Sequence, residues 1–170
     1  MIVKATIGRW RFTFSMAPIT KVVGLNSTLI DGNHMPMWDF DNVPIQKVRE
    51  ALREVQNRYN LPTIRIASSG RKDGWLALCL KRVDWKTEIA IIASTKYVDA
   101  DYVKFGIYRG HFTIRITPKA FLRVKYHSKL FSPHREDVTL VHLRSFTQYE
   151  TLEPNWKSQK LEIKLFKENS

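Results

Sequence analysis

The sequence predicts an α+β fold. Its expected core is a βαββαβ, RRM-like (ferredoxin-like) antiparallel sheet with helices on one face, preceded by an N-terminal hairpin and followed by a C-terminal β-rich extension. Three observations carry this. Residues 37–41 set Trp38 and Phe40 against Asp39 and Asp41, 63–68 set Ile64 and Ile66 against Arg65 and Ala67, and 75–81 repeat leucine at 76, 78 and 80, each with the period of two of a strand. Residues 45–59 repeat apolar side chains at three and four, the stripe of a helix that buries one face. Short turns with glycine at 69–74 and 109–110 join strand candidates closely enough for antiparallel pairing.

In chain order, Ile2 to Ile7 and Trp10 to Met16 alternate about Gly8-Arg9 and predict a hairpin. Ala17 to His34 keeps no period and reads as a connecting loop. The segment Met35-Pro36-Met37-Trp38-Asp39-Phe40-Asp41 then predicts a buried strand. Pro44 suits the first turn of the helix to Tyr59, with Asn42 or Asp41 placed to cap it. Thr63 to Ser68 and Trp75 to Lys81 predict a second hairpin, and Asp84 to Ser94 a second helix anchored by Trp85, Ile89, Ile91 and Ile92. Tyr102 to Tyr108 and His111 to Ile116 read as two more strands, with weaker strand signals at Leu122 to Tyr126, Val138 to Phe146 and Leu161 to Leu165.

A chain of 170 residues suffices for a single well-cored domain: hairpin and loop over 1–34, core over 35–116, basic extension over 117–170. Twenty-eight Lys and Arg against sixteen Asp and Glu leave a net charge of +12, which favours a polyanionic partner. The excess is spread, at +3 over 1–34, +5 over 35–116 and +4 over 117–170, so it belongs to the fold and not to a tail. Cys79 is the single cysteine, which excludes an intramolecular disulfide and a cysteine-based zinc site. No apolar run approaches the ~20 residues of a membrane span, and Lys4, Arg9 and Arg11 are unlike a signal peptide. The expectation is a cytoplasmic protein with no membrane partner.

Alternation puts Asp39 and Asp41 on one face of their strand, with Cα atoms roughly 7 Å apart at about 3.3 Å per residue. Two carboxylates so placed repel, and a divalent cation between them is the usual resolution. If Ile64, Ile66, Leu76, Leu78, Leu80, Phe112, Ile114 and Ile116 face the helices, the open face gathers the rest. That set is Asp39, Asp41, Arg65, Ser69, Trp75, Cys79, His111, Thr113 and Arg115. Acids for metal, cations and hydroxyls for phosphate and a ring for a base would together suit phosphoryl or nucleotidyl transfer. A solvated face with cross-strand ion pairs, such as Asp39 with Arg115, is the plain alternative. The turn Ser68-Ser69-Gly70-Arg71-Lys72-Asp73-Gly74 offers amides and cations to phosphate but lacks the P-loop pattern. His34, His127, His134 and His142 have no ligand spacing.

These motifs resemble those of the archaeo-eukaryotic primase and primase–polymerase superfamily. Asp39-Phe40-Asp41 resembles the first motif, and Ser69-Gly70-Arg71-Lys72-Asp73-Gly74-Trp75 the second. Val98-Asp99-Ala100-Asp101-Tyr102-Val103 followed by His111-Phe112-Thr113-Ile114-Arg115 resembles the third. The resemblance implies Asp39, Asp41 and Asp99 or Asp101 as ligands of Mg2+ or Mn2+, with Asp39, Asp41 and Asp101 catalytic. It implies Ser69, Arg71, Lys72, His111 and Arg115 as nucleotide-binding residues. Arg65, Trp75, Lys104 and Arg109 are the candidates for nucleic-acid contact. Where the family has a histidine after the Ser-Gly-Arg turn, this chain has Trp75. Either His111 substitutes from the next strand, or triphosphate binding is weakened or lost.

The expected function is metal-dependent nucleotidyl transfer in DNA replication, as a primase or polymerase of a virus, plasmid or small genome. Its partners would be nucleoside triphosphates, single-stranded or primer-template nucleic acid, and a helicase or other replication protein. Two alternatives stand beside it. One is a primase-like factor that binds nucleic acid without synthesis. The other is a metal-dependent nuclease, since Asp39-Phe40-Asp41-Asn42 also resembles the opening strand of NYN/PIN-type ribonucleases.

Overall fold

A computed structural model describes residues 2–7, 9–15, 19–119, 122–143, 146–152 and 160–164. The chain divides into two compact units, Met1–Lys21 with Glu150–Ser170, and Val22–Tyr149. In the first, β1 (Ile2–Ile7) and β2 (Trp10–Ser15) form the expected antiparallel hairpin. The C-terminal β10 (Lys160–Lys164) lies parallel to β1 on its other side.

The second unit is α+β with antiparallel pairing. Its main sheet runs in the order β4-β6-β5-β8: β4 (Met37–Phe40), β6 (Trp75–Cys79), β5 (Ile64–Ser68) and β8 (Lys125–Leu130). On one face lie α1 (Ile45–Arg58), α2 (Trp85–Ala93) and α3 (Ala100–Arg109). Val48, Leu52 and Val55 of α1 and Ile91 and Ile92 of α2 pack there with Trp38, Phe40, Ile64, Ile66, Ala77, Cys79 and Phe112. Asp84 caps α2, its carboxylate accepting from the Thr87 amide at 3.0 Å. Among the described residues no helix is long and apolar enough to cross a membrane.

Several expectations are corrected. Tyr102 to Tyr108 is helical: α3 is capped by Asp99, which accepts from the Tyr102 amide at 2.7 Å, and closed by left-handed Gly110. Its inward residues are Tyr102, Val103 and Gly106, a helical spacing that the aromatic and β-branched content of 102–108 disguises as a strand. The supposed loop 17–34 contains β3 (Ile19–Asn26), whose apolar residues come in runs and not in alternation. The last core strand shrinks to β7 (Thr113–Arg115), and it bonds to β3, not to β4. A second sheet of order β7-β3-β9 results, with β9 at Phe146–Leu152. The 138–146 strand is instead a single 3-10 turn at Leu140–His142 before β9, and the strand expected from Leu122 begins at Lys125. At the start of α1, Pro44 occupies the cap position and neither Asp41 nor Asn42 supplies a side-chain cap.

The most consequential correction concerns β6. Leu76 faces away from the helices and joins Leu25, Leu29, Met35, Met37, Ile114 and Val138 in a second apolar cluster, with Leu78 and Leu80 against it. Ala77 and Cys79 turn to the helices in its place. The face expected to be open is therefore partly covered, and β4 has packing on both sides.

A buried polar knot ties these layers together. Ser27 donates to Glu88 Oε2 at 3.1 Å, His34 Nδ1 lies 2.9 Å from that same oxygen, and Ser27 Oγ accepts from the Phe112 amide at 3.0 Å. Burial pushes the Glu88 carboxyl up. Nearby, Gly106 lets α3 lie against Phe112, whose ring a Cβ at this position would overlap. Gly106→Ala should therefore destabilise the chain by about 1–3 kcal/mol, despite the better helix propensity of alanine. Urea unfolding checks this, and unchanged or higher stability would contradict the close approach.

Candidate nucleotide cleft

Alternation along β4 sends Trp38 and Phe40, both fully buried, into the helix-side core and leaves Asp39 on the opposite face. Met37 on that face is sealed in the second cluster, so Asp39 sits where the second core ends and a cleft begins. Asp41 lies just past the end of β4, and its Oδ2 accepts from Arg71 Nη1 at 2.8 Å. The Asp39 carbonyl accepts from the Asp99 amide at 3.0 Å, which brings the start of α3 beside the acidic pair.

The Ser69–Gly74 turn forms the next wall. The Ser69 amide bonds to the Gly74 carbonyl at 3.0 Å, and Gly70 and Asp73 take left-handed φ values of 87° and 50°. Gly74 has no room for a side chain, because a Cβ would run into Ser69 Oγ. Arg115 braces the turn from β7, donating to the Ser69 carbonyl and, at 2.6 Å, to that of Leu122. Thr113 donates to Asn26 Oδ1 at 2.7 Å, and Thr147 shares this acceptor at 2.8 Å.

These elements enclose a cavity of about 610 Å³. Asp39, Asp41, Ser69, Arg71, His111 and Arg115 line it, together with Leu76, Arg109, Thr113, Lys119 and Thr147. Residues far apart in the chain thus meet at one place. Four cations against two carboxylates make the cleft attractive to an anion such as phosphate. Asp39 also borders a smaller hollow of about 180 Å³ with Asp99, Asp101, Arg109 and His111.

Other proposed residues stand elsewhere. Cys79 is buried on the helix side, where burial raises its thiol far above the ordinary range, so its expected place on the open face is wrong. Trp75 is likewise turned to that side, its indole N–H donating to the Val43 carbonyl at 2.9 Å and its ring meeting His127 edge-on. Both follow from the reversed register of β6. Arg65 is held by Glu136 through two bonds of 2.6 and 3.0 Å, outside the cleft lining. Lys72 and Lys104 are exposed. Lys119 and Thr147 escaped sequence reasoning because no motif or period marks them.

Burial, then the negative charges of Asp41 and Asp99, push the Asp39 carboxyl up from 3.8 to about 7, against the opposing pull of Arg71 and Arg115. Burial and the charge of Arg109 hold His111 below its ordinary value, which favours the neutral ring at pH 7. Among the described residues no group of three or more His, Cys, Asp or Glu stands close enough to hold a metal ion. Asp39 and Asp41 are the two carboxylates of the cleft that could ligate a divalent cation, since Mg2+ takes one or two carboxylates and completes its shell with water and substrate phosphate.

Comparison with protein-family models, curated proteins and solved structures finds no match for this chain.

The raised Asp39 value has a signed consequence. Between 3.8 and about 7 the folded chain holds a proton that the unfolded chain has lost, so this group's contribution to stability falls as pH rises through that window. Asp39→Asn removes the titration. In cation-free buffer its melting temperature should gain on the unmutated chain from about pH 4 to 7 and run parallel above. Parallel curves throughout would contradict the raised carboxyl.

Proposed function

We propose that the cleft carries out metal-dependent nucleotidyl transfer on a nucleic-acid template, the activity implied by the primase–polymerase resemblance. The observation that supports this best is the convergence of Asp39 and Asp41, Ser69 and Arg71, and His111 and Arg115 on one cavity.

In this reading Asp39 and Asp41 hold Mg2+ or Mn2+, with Asp99 or Asp101 at the adjoining hollow as the third carboxylate. A bound divalent cation lowers the pKa of an attacking hydroxyl and stabilises departing pyrophosphate. Arg71 leaves Asp41 for the triphosphate, so its ion pair is exchanged for a phosphate contact. Arg115 keeps the Ser69 carbonyl, and with it the turn, in place. Neutral His111 is left to donate one hydrogen bond to a phosphate oxygen or a ribose hydroxyl. The basic charge of the chain draws the template, and a partner such as a helicase would deliver it. Such a protein would work in the cytoplasm.

A second reading keeps the cleft and the template but not the turnover. The proton held by Asp39 and the Arg71–Asp41 pair favour it, since both neutralise the acids without a metal. The antiparallel pairing of β4 with β6 gives no support to a nuclease of the parallel-strand kind.

Templated extension with purified protein, Mn2+ and nucleoside triphosphates separates the two readings. Incorporation should fall to background in Asp39→Ala and Asp41→Ala, with circular dichroism unchanged. Arg71→Ala should raise the KM for nucleotide by about tenfold, the loss of one charge-assisted bond. An unmutated chain that binds template and incorporates nothing would replace synthesis by the binding-only reading.

A further inference from the structure

The charge of +12 is unevenly answered within the fold. Arg58, Arg65, Arg71, Lys81, Arg82 and Lys96 each stand within 3.0 Å of a carboxylate oxygen. Residues 117–135 differ, for they hold five Lys and Arg and no Asp or Glu. Among the described residues none of those five takes part in an ion pair. Two of them, Lys125 and Lys129, are exposed on β8, the strand that ends the four-stranded sheet. Positive charge without an acid beside it is gathered along this edge.

The neighbouring helix adds to it. Arg49 of α1 donates to Ser128 Oγ at 2.9 Å, and Arg53 donates to the Phe131 carbonyl at 2.8 Å. Both acceptors are neutral, so they fix the guanidinium groups against β8 and leave their charge in place. The register sets Lys125 opposite Ser68 and Lys129 opposite Arg65, with a bulge between them. Ser68 shares the helix face with Ile64 and Ile66, so Lys125 stands on that side with the two arginines and Lys129 on the other. The two faces meet at the edge, within reach of long and flexible lysine stems. Lysines alone would serve to guard a bare edge against strand pairing. That role does not account for two arginines that α1 turns toward the same edge.

The start of this strip touches the cleft. Lys119 lines the cavity, and the Leu122 carbonyl accepts from Arg115 at 2.6 Å. The Arg123 amide lies so close to Gly70 that a Cβ there would meet it at 2.8 Å. From this point β8 runs about 17 Å, from Lys125 to Leu130. A line of cations that begins at the wall of a cleft fits a chain of phosphates better than it fits a flat anionic surface. We infer that the β8 edge is a track for the sugar–phosphate backbone of a nucleic-acid strand, held by Lys125, Lys129, Arg49 and Arg53. Phosphate contacts carry no sequence information, so the track is indifferent to base sequence. That the bound strand is a template rests on the cleft reading; that this edge binds nucleic acid does not.

The test uses the full chain and labelled oligothymidylate without metal or nucleoside triphosphate, with affinity read by fluorescence anisotropy across a salt series. A Lys125→Gln, Lys129→Gln variant should flatten the slope of log affinity against log salt by about 1.4, the value for two phosphate contacts on a single strand. With lines that meet at 1 M salt, this amounts to about 25-fold weaker binding at 0.1 M. Arg49→Gln should flatten the slope by about 0.7, with circular dichroism unchanged. A Lys47→Gln, Lys86→Gln variant removes the same charge from exposed positions away from the edge and should keep the slope, as should Lys125→Arg, Lys129→Arg. In templated extension the Lys125→Gln, Lys129→Gln variant should need more template for half-maximal rate, with the KM for nucleotide unchanged. A chain that extends nothing overturns the cleft reading and leaves the binding result standing. Equal flattening in the Lys47→Gln, Lys86→Gln variant would show a diffuse field and overturn the track. So would an unchanged slope in Lys125→Gln, Lys129→Gln, or binding to phosphatidylserine vesicles that these lysines support while oligothymidylate binding survives their replacement.

Discussion

The strand β4 is packed on both faces, and the position of Asp39 in the cleft follows from that. Trp38 and Phe40 fill the helix-side core, and Met37 closes the second cluster with Leu76 and Ile114. Asp39 is the one residue of the strand without an apolar place to go. It faces the cleft, where partial burial and the charges of Asp41 and Asp99 disfavour its ionised form. Below about pH 7 the protonated form is favoured, and a cation or an arginine would favour the charged one.

The arginines around it have divided roles. Arg71 sits on a turn and pairs with Asp41, a partly exposed contact whose energetic worth is small and which can be exchanged for another anion. Arg115 is tied to backbone carbonyls on the Ser69 turn and at Leu122, so it behaves as a brace. A cleft with one exchangeable cation and one fixed cation can receive a phosphate without rebuilding its walls. The helix α3 is fastened beside it through the Asp99 amide and the Asp39 carbonyl. Movement of that helix would therefore be felt at the acidic pair.

Much of this was legible in the sequence, for identifiable reasons. The α1 stripe, the apolar anchors of α2 and the two hairpins each carry a local signal, a period or a turn, that tertiary context had no cause to override. The acidic pair was legible because Trp38 and Phe40 leave strand alternation only one solution. The β6 register was not. Leu76, Leu78 and Leu80 are the most apolar alternating set in the strand, and a sheet with one buried face would have sent them to the helices. They face the other way because β3 and β7 build a second core, and β3 has no alternation to announce it. The displacement of Trp75 and Cys79 from the expected face follows from that one missed strand. The helix at 100–109 was obscured because its residues are strand formers by propensity, while its evidence lies in Asp99 and Gly110 at the two ends.

In the proposed site a cation replaces the proton of Asp39. Calorimetric titration of Mn2+ with a nucleoside triphosphate, at pH 6 in buffers of different ionisation enthalpy, measures that exchange directly. Cation binding at the cleft should release about one proton from the protein beyond that from the nucleotide, and Asp39→Asn should abolish it. Binding with no proton released, or equal release from the Asp39→Asn variant, would contradict the placement of the cation at this carboxylate.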